Sequence, residues 1–169
     1  GIRFLMVGLP DNAVRESHER IYSALQYNGI SIPRKQVVIN MAPADIRKEG
    51  AAYDLPLAIG ILAASGAVLN EELSDYIIMG ELSLDGTLHP IKGILPIAIK
   101  AREEGFKGLI IPKENAKEAA VVNNLDVYGA NCLLEVINFF NKKGSIEKTI
   151  IDTRKEFFEQ LNNFEMDFS

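Results

Sequence analysis

The residues of this chain whose types and spacing could do chemistry gather between Met41 and Ala58. Asp45, Arg47, Lys48 and Glu49 form a doubly charged loop that runs through Gly50-Ala51-Ala52-Tyr53 into Asp54-Leu55-Pro56, where an apolar helix begins. A polar loop feeding a helix start presents backbone N–H groups to an anion, or holds a nucleophile at the helix amino terminus. The carboxylates of Asp45, Glu49 and Asp54 are hard-cation ligands by type. Arg47 and Lys48 stand among them, and Asp54 is accounted for as a helix N-cap, so the loop is assigned no metal. Elsewhere the reactive types are isolated. His18 and His89 lack Cys or carboxylate companions at ligand spacing, and are read as a surface residue on an amphipathic helix and a structural residue beside Pro90. The single Cys132 permits no intrachain disulfide and suits a reducing cytoplasm. With no electropositive motif around it, it is read as small and buried or half-buried. No GxxxxGK[ST] motif occurs, so these residues hold no Walker-type nucleotide site.

Hydrophobic periodicity predicts the elements that position this loop. Residues 2–8 read as a buried strand, and Asp11 as the N-cap of a helix to about Tyr27. Val14, Ser17, Ile21 and Leu25 face inward on that helix, with Arg15, Glu16, Glu19 and Arg20 outward. Residues 35–40 form a second strand. Residues 55–65 are apolar on every side, which predicts a central buried helix. A strand at 76–79 and a hairpin over 80–90 turned at Asp85-Gly86 follow. Next come a helix at 94–104 stopped by Gly105, a buried strand at 109–112, a helix at 113–123, a weak strand at 126–128 and a closing helix at 133–140. Strands and helices alternate around one inserted hairpin, so the class is mixed α and β.

Bulk properties bound the function. At 169 residues the chain accommodates one domain plus an appendage. Its apolar content of 47 % is ordinary for a globular protein, and its longest apolar run is shorter than the ~20 residues of a membrane span. No secretory signal pattern opens it. The net charge is −5, of which residues 145–169 carry −3. A chain of this balance lacks the basic footprint of non-specific nucleic-acid binding, although a local basic patch on one face remains open. Phe157, Phe158, Phe164 and Phe168 crowd the final segment, unlike a plain disordered tail, and are expected to pack on this domain or on a partner.

Two resemblances follow from longer motifs. The segment Met79-Gly80-Glu81-Leu82-Ser83-Leu84-Asp85-Gly86-Thr87-Leu88-His89-Pro90-Ile91, followed by Ala101-Arg102-Glu103-Glu104-Gly105-Phe106 and Ile110-Ile111-Pro112-Lys113-Glu114-Asn115, resembles the proteolytic domain of Lon protease, as does Lys48-Glu49-Gly50. That family works through a serine–lysine pair. Here its serine position falls on Ala52, the glycine two places on falls on Asp54, and its lysine falls on Leu95. Neither Ala nor Leu can act as nucleophile or base. Lys92, three residues before Leu95, is the one displaced base on offer, and no serine neighbours Ala52 in sequence. A closer resemblance covers nearly the whole chain. Val7-Gly8-Leu9-Pro10-Asp11-Asn12-Ala13-Val14-Arg15-Glu16-Ser17, 40–50 and Tyr53-Asp54-Leu55-Pro56-Leu57-Ala58-Ile59-Gly60 look like the amino-terminal domain of the magnesium-chelatase-like AAA+ ATPases, the ComM (YifB) family.

This resemblance implies an α+β fold of the Lon proteolytic type, related to the second domain of ribosomal protein S five, with a mixed sheet packed by helices. It implies that residues 1–144 are the Lon-like domain without its first strands, and that 145–169 lead toward an AAA+ ATPase domain of the same chain. The expected role is a non-catalytic accessory domain of a hexameric, cytoplasmic DNA motor acting in branch migration and recombination during natural transformation. ATP and Mg²⁺ would belong to the ATPase domain, with no cofactor here, no metal and no membrane. The alternatives are a degenerate or active Ser-Lys peptidase-like domain and a regulatory protein-interaction module. Arg34, Lys35, Arg47 and Lys48 are the candidates for DNA or subunit contact. Asp54 is expected to cap the central helix and, if Lys92 approaches it, to form an ion pair in the vacated protease site.

Overall fold

The computed structural model of the chain describes residues 4–6, 11–31, 37–39, 50–151 and 161. Short apolar segments bounded by turns give the strands. β1 (Phe4–Met6) pairs parallel with β2 (Val37–Ile39), and α1 (Asp11–Tyr27) lies between them in sequence. The second sheet is parallel throughout, in the order β3 (Tyr76–Ile78), β6 (Gly108–Pro112), β7 (Asp126–Ala130). Its middle strand, Gly-Leu-Ile-Ile-Pro, is buried along its whole length, which is why it reads as a continuous apolar run. The inserted hairpin pairs β4 (Glu81–Leu82) with β5 (Leu88–His89) around Asp85-Gly86. Gly86 takes φ +92°, as the turn requires.

Helices cover these strands. α2 (Asp54–Ala64) is central, with Leu55, Leu57, Ala58, Ile59, Ile61 and Leu62 all buried. That burial explains its lack of a polar face. α3 (Ile94–Glu103) and α4 (Lys113–Ala119) pack against β6, and α5 (Leu133–Phe140) against β7. The expected helix at 113–123 ends four residues early, because the chain must turn at Asn124, φ +61°, to enter β7. Tyr76 meets Tyr128, Phe139 and Phe140 edge-on between β3, β7 and α5, and Tyr128 meets Phe139 at a tilt. Packing also continues past residue 144: Ile146 sits against the core, and the Thr149 N–H donates to the Val127 carbonyl at 2.7 Å. No helix among the described residues is long and apolar enough to cross a membrane.

Candidate degenerate active site

The Ala52–Asp54 junction lies where β3 ends. The Gly80 N–H donates to the Ala52 carbonyl at 2.8 Å, and the Gly80 carbonyl accepts from the Leu55 N–H at 3.0 Å. The second bond satisfies one of the amide donors that a helix start leaves without an intrahelical partner. The hairpin reaches across to the far strand: Leu88 donates to the Asn131 carbonyl at 2.9 Å, just beyond β7, and Thr87 bridges Cys132. The junction and the hairpin thus occupy the carboxyl-terminal end of the parallel sheet, the end where open α/β sheets place their ligands.

Asp54 holds the centre of this site in an ion pair, but its partner is Arg20 where Lys92 was expected, and it does not cap the helix. Tyr53, not Asp54, occupies the N-cap of α2, and no side chain caps that helix. The Asp54 carboxylate has 0 % exposure and accepts from Ser17 Oγ at 2.7 Å, from Arg20 Nε at 2.6 Å and Nη2 at 3.0 Å, and from the Leu82 N–H at 3.1 Å. The Arg20 fork grips both carboxylate oxygens, the geometry of a strong charge-assisted pair. Its hydrogen bond with Asp54 raises the Arg20 guanidinium further above its ordinary range, against the opposing effect of burial. Arg20, expected to face solvent, is therefore turned inward. The expected partner Lys92 is exposed on the loop before α3, and Asp54 is paired by Arg20 instead. Asp45 and Glu49, the other carboxylates of the loop, lie outside the described residues.

Ala52 and Leu95 are the positions onto which the resemblance places the serine and lysine of a peptidase. Ala52 is buried at 7 % exposure and Leu95 is half-buried against the core. Ser17 brings a hydroxyl to the site, but its Oγ donates to Asp54 and faces an arginine, which cannot serve as a base. Arg34, Lys35, Arg47 and Lys48 lie outside the described residues, as do Phe157, Phe158, Phe164 and Phe168.

Two further constellations escaped the sequence. The buried Asn115 amide accepts from the Ile91 N–H and donates to the Ile91 carbonyl, both at 2.9 Å, and so pins the loop that carries Lys92. On the hairpin, Ser83 Oγ meets His89 Nε2 diagonally across the strands. At its turn, Asp85 accepts from the Thr87 N–H at 2.9 Å, which holds its carboxyl below the usual carboxylate range. One signal for the central cluster was available: Ser17 is a polar residue within the inner stripe of α1, and such a residue needs a buried partner.

The model of the family described as subunit ChlI of Mg-chelatase matches residues 1–115. The chain is 43 % identical over 138 residues to competence protein ComM of Haemophilus influenzae, covering 82 % of this chain and 27 % of that protein. It is 39 % identical over 143 residues to YifB of Escherichia coli, covering 85 % and 28 %. It is 30 % identical over 111 residues to Lon protease 2 of Bacillus subtilis, covering 65 % and 19 %. The chain spans between a quarter and a third of the length of the ComM and YifB relatives it matches.

Proposed function

The chain belongs to the family of the ChlI subunit of Mg-chelatase, and on that footing we propose that it is a non-catalytic accessory domain of a cytoplasmic, hexameric AAA+ motor acting on DNA. The observation that carries the non-catalytic part is the state of the junction. Ala52 is tied to Gly80 at the mouth of α2, and Ala52 and Leu95 stand at the positions where the resemblance to Lon protease places serine and lysine chemistry. The Asp54–Arg20 pair fills the same place with a neutralised, hydrogen-bonded knot. The DNA part, branch migration and recombination during transformation, is supported by family resemblance and by the competence name of the Haemophilus relative. ATP and Mg²⁺ are assigned to another domain of the longer protein, since this sequence has no Walker motif.

The test compares the full-length protein with a form lacking residues 1–151. ATP hydrolysis is expected to persist in the shortened form, while hexamer mass in solution or migration of a branched DNA junction is lost. Casein or peptide hydrolysis that copurifies with the 169-residue chain, and is abolished by a substitution within it, would falsify the non-catalytic reading.

A further inference from the structure

One face of the hairpin carries reactive groups that the junction at Ala52 does not use. Strand register sets Glu81 opposite His89 and Leu82 opposite Leu88. Alternation then puts Glu81, Ser83, Thr87 and His89 on one face and the buried Leu82 and Leu88 on the other. On the polar face Ser83 Oγ meets His89 Nε2, with Ser83 half-buried and His89 exposed. The turn does not depend on this contact. The Ser83 N–H donates to the Thr87 carbonyl at 2.9 Å, and the Gly86 N–H to the Ser83 carbonyl at 3.0 Å. Neighbouring elements tie the tip as well: Ser23 Oγ donates to the Leu84 carbonyl and Asn28 Nδ2 to the Asp85 carbonyl, both at 3.1 Å, and the Leu133 N–H to the Gly86 carbonyl at 2.8 Å. A hydroxyl set against an imidazole on so firmly held a support is the arrangement of a nucleophile and its general base. Other serines contrast with it. Ser17 donates to a carboxylate already gripped by Arg20, while Ser23 and Ser65 donate to backbone carbonyls, which take up no proton.

We propose that Ser83 is an acyl acceptor with His89 as its general base, and that its donor is a neutral thioester or activated ester. Ser83 Oγ attacks the donor carbonyl carbon while its proton passes to His89 Nε2. The bond from that carbon to the thiol sulfur or alcohol oxygen then breaks, and the leaving group takes the proton from His89. The products are a serine ester and a free thiol or alcohol. Two carboxylates set the class of donor. Glu81 lies directly opposite His89, and Asp85 at the turn is near enough for the His89 charge to act on it. Both repel an anionic donor such as an acyl phosphate. Amides fit poorly, because their cleavage needs a held oxyanion and a protonated leaving nitrogen. One ester per chain without peptide turnover is therefore expected, which leaves the accessory role of the domain untouched.

The test incubates the protein with p-nitrophenyl acetate and maps acetylated peptides by mass spectrometry. Hydroxylamine removes esters and so separates serine from lysine acetylation. Ser83 is expected to acylate about a hundredfold faster than the exposed Ser74 and Ser145 of the same chain. His89→Gln is expected to bring Ser83 down to the rate of those two, with the circular dichroism spectrum unchanged. Acetyl phosphate at equal concentration is expected to label Ser83 at least about tenfold more slowly than the neutral ester. A Ser83 rate no greater than that of Ser74 and Ser145, or one that His89→Gln leaves unchanged, overturns the proposal and leaves the contact a structural hydrogen bond. A label resting on His89 overturns the assignment of Ser83 as acceptor, and equal labelling by acetyl phosphate overturns the class of donor.

Discussion

Asp54 has no contact with water, and its charge depends on Arg20, Ser17 and one backbone N–H. Arg20 keeps 22 % of its side chain exposed, and that asymmetry makes the pair testable from both sides. Arg20→Met strands a buried carboxylate and is expected to cost about 3 kcal/mol in urea unfolding. Asp54→Asn is expected to cost less, about 1–2 kcal/mol, because the released guanidinium can turn into solvent while the new amide still accepts from Leu82. The reverse order would mean that the arginine is the more confined charge. The pH limits follow from other residues. The Asp85 carboxyl titrates below its unfolded value of about 3.9, so its contribution is complete above that value and is lost as pH falls through the folded one. Asp85→Asn is expected to flatten that acid limb, and the Thr87 amide proton, followed by NMR, to report it. Burial raises the Tyr53 hydroxyl, so its contribution holds below about pH 10 and is lost as pH rises through the folded value.

Among the elements, the contact of α4 with β7 leaves no room for a side chain at Gly129. A Cβ on Gly129 would stand 2.9 Å from both Lys113 Cα and Ala116 Cβ, so Gly129→Ala forces the helix off the strand. A loss of about 1–3 kcal/mol in chemical denaturation is expected, with the parallel sheet retained by circular dichroism. The sequence made such elements legible wherever the cause was local. The all-apolar α2, the Gly105 stop after α3 and the Asp85-Gly86 turn each carry their own signal, and each lies within a residue or two of its expected place. The partner of Asp54 was illegible because Arg20 lies 34 residues away and joins the site only through the packing of α1 on α2. Tertiary structure overruled the local reading in two places. Asp before Leu-Pro looks like a cap until a half-buried arginine claims its carboxylate, and the outward stripe of α1 includes Arg20 until Asp54 draws it in. The Asn115 clamp on Ile91 was invisible for the same reason, being a contact across 24 residues.

For the molecule as a whole, the proposed function is tested by asking whether this module holds DNA through the cations that precede its buried junction. Arg47 lies five residues before Ala52 in the chain, and so within about 18 Å of it at full extension. The net charge of −5 opposes any broad electrostatic attraction, so contact would depend on a few cations acting together. With Arg34, Lys35, Arg47 and Lys48 each neutralising one phosphate, log affinity should fall against log salt with a slope near −3.6, or roughly fiftyfold between 50 and 150 mM. Fluorescence anisotropy of labelled single- and double-stranded DNA with the 169-residue chain measures that slope. Replacing the four cations by alanine is expected to bring it close to zero. A steep slope that survives the replacement moves the contact to other lysines, with Lys142 and Lys143, exposed just after α5, the first to examine. No binding at low salt leaves the module a scaffold, because a protein of this charge that cannot hold DNA when screening is weakest will not hold it in the cell.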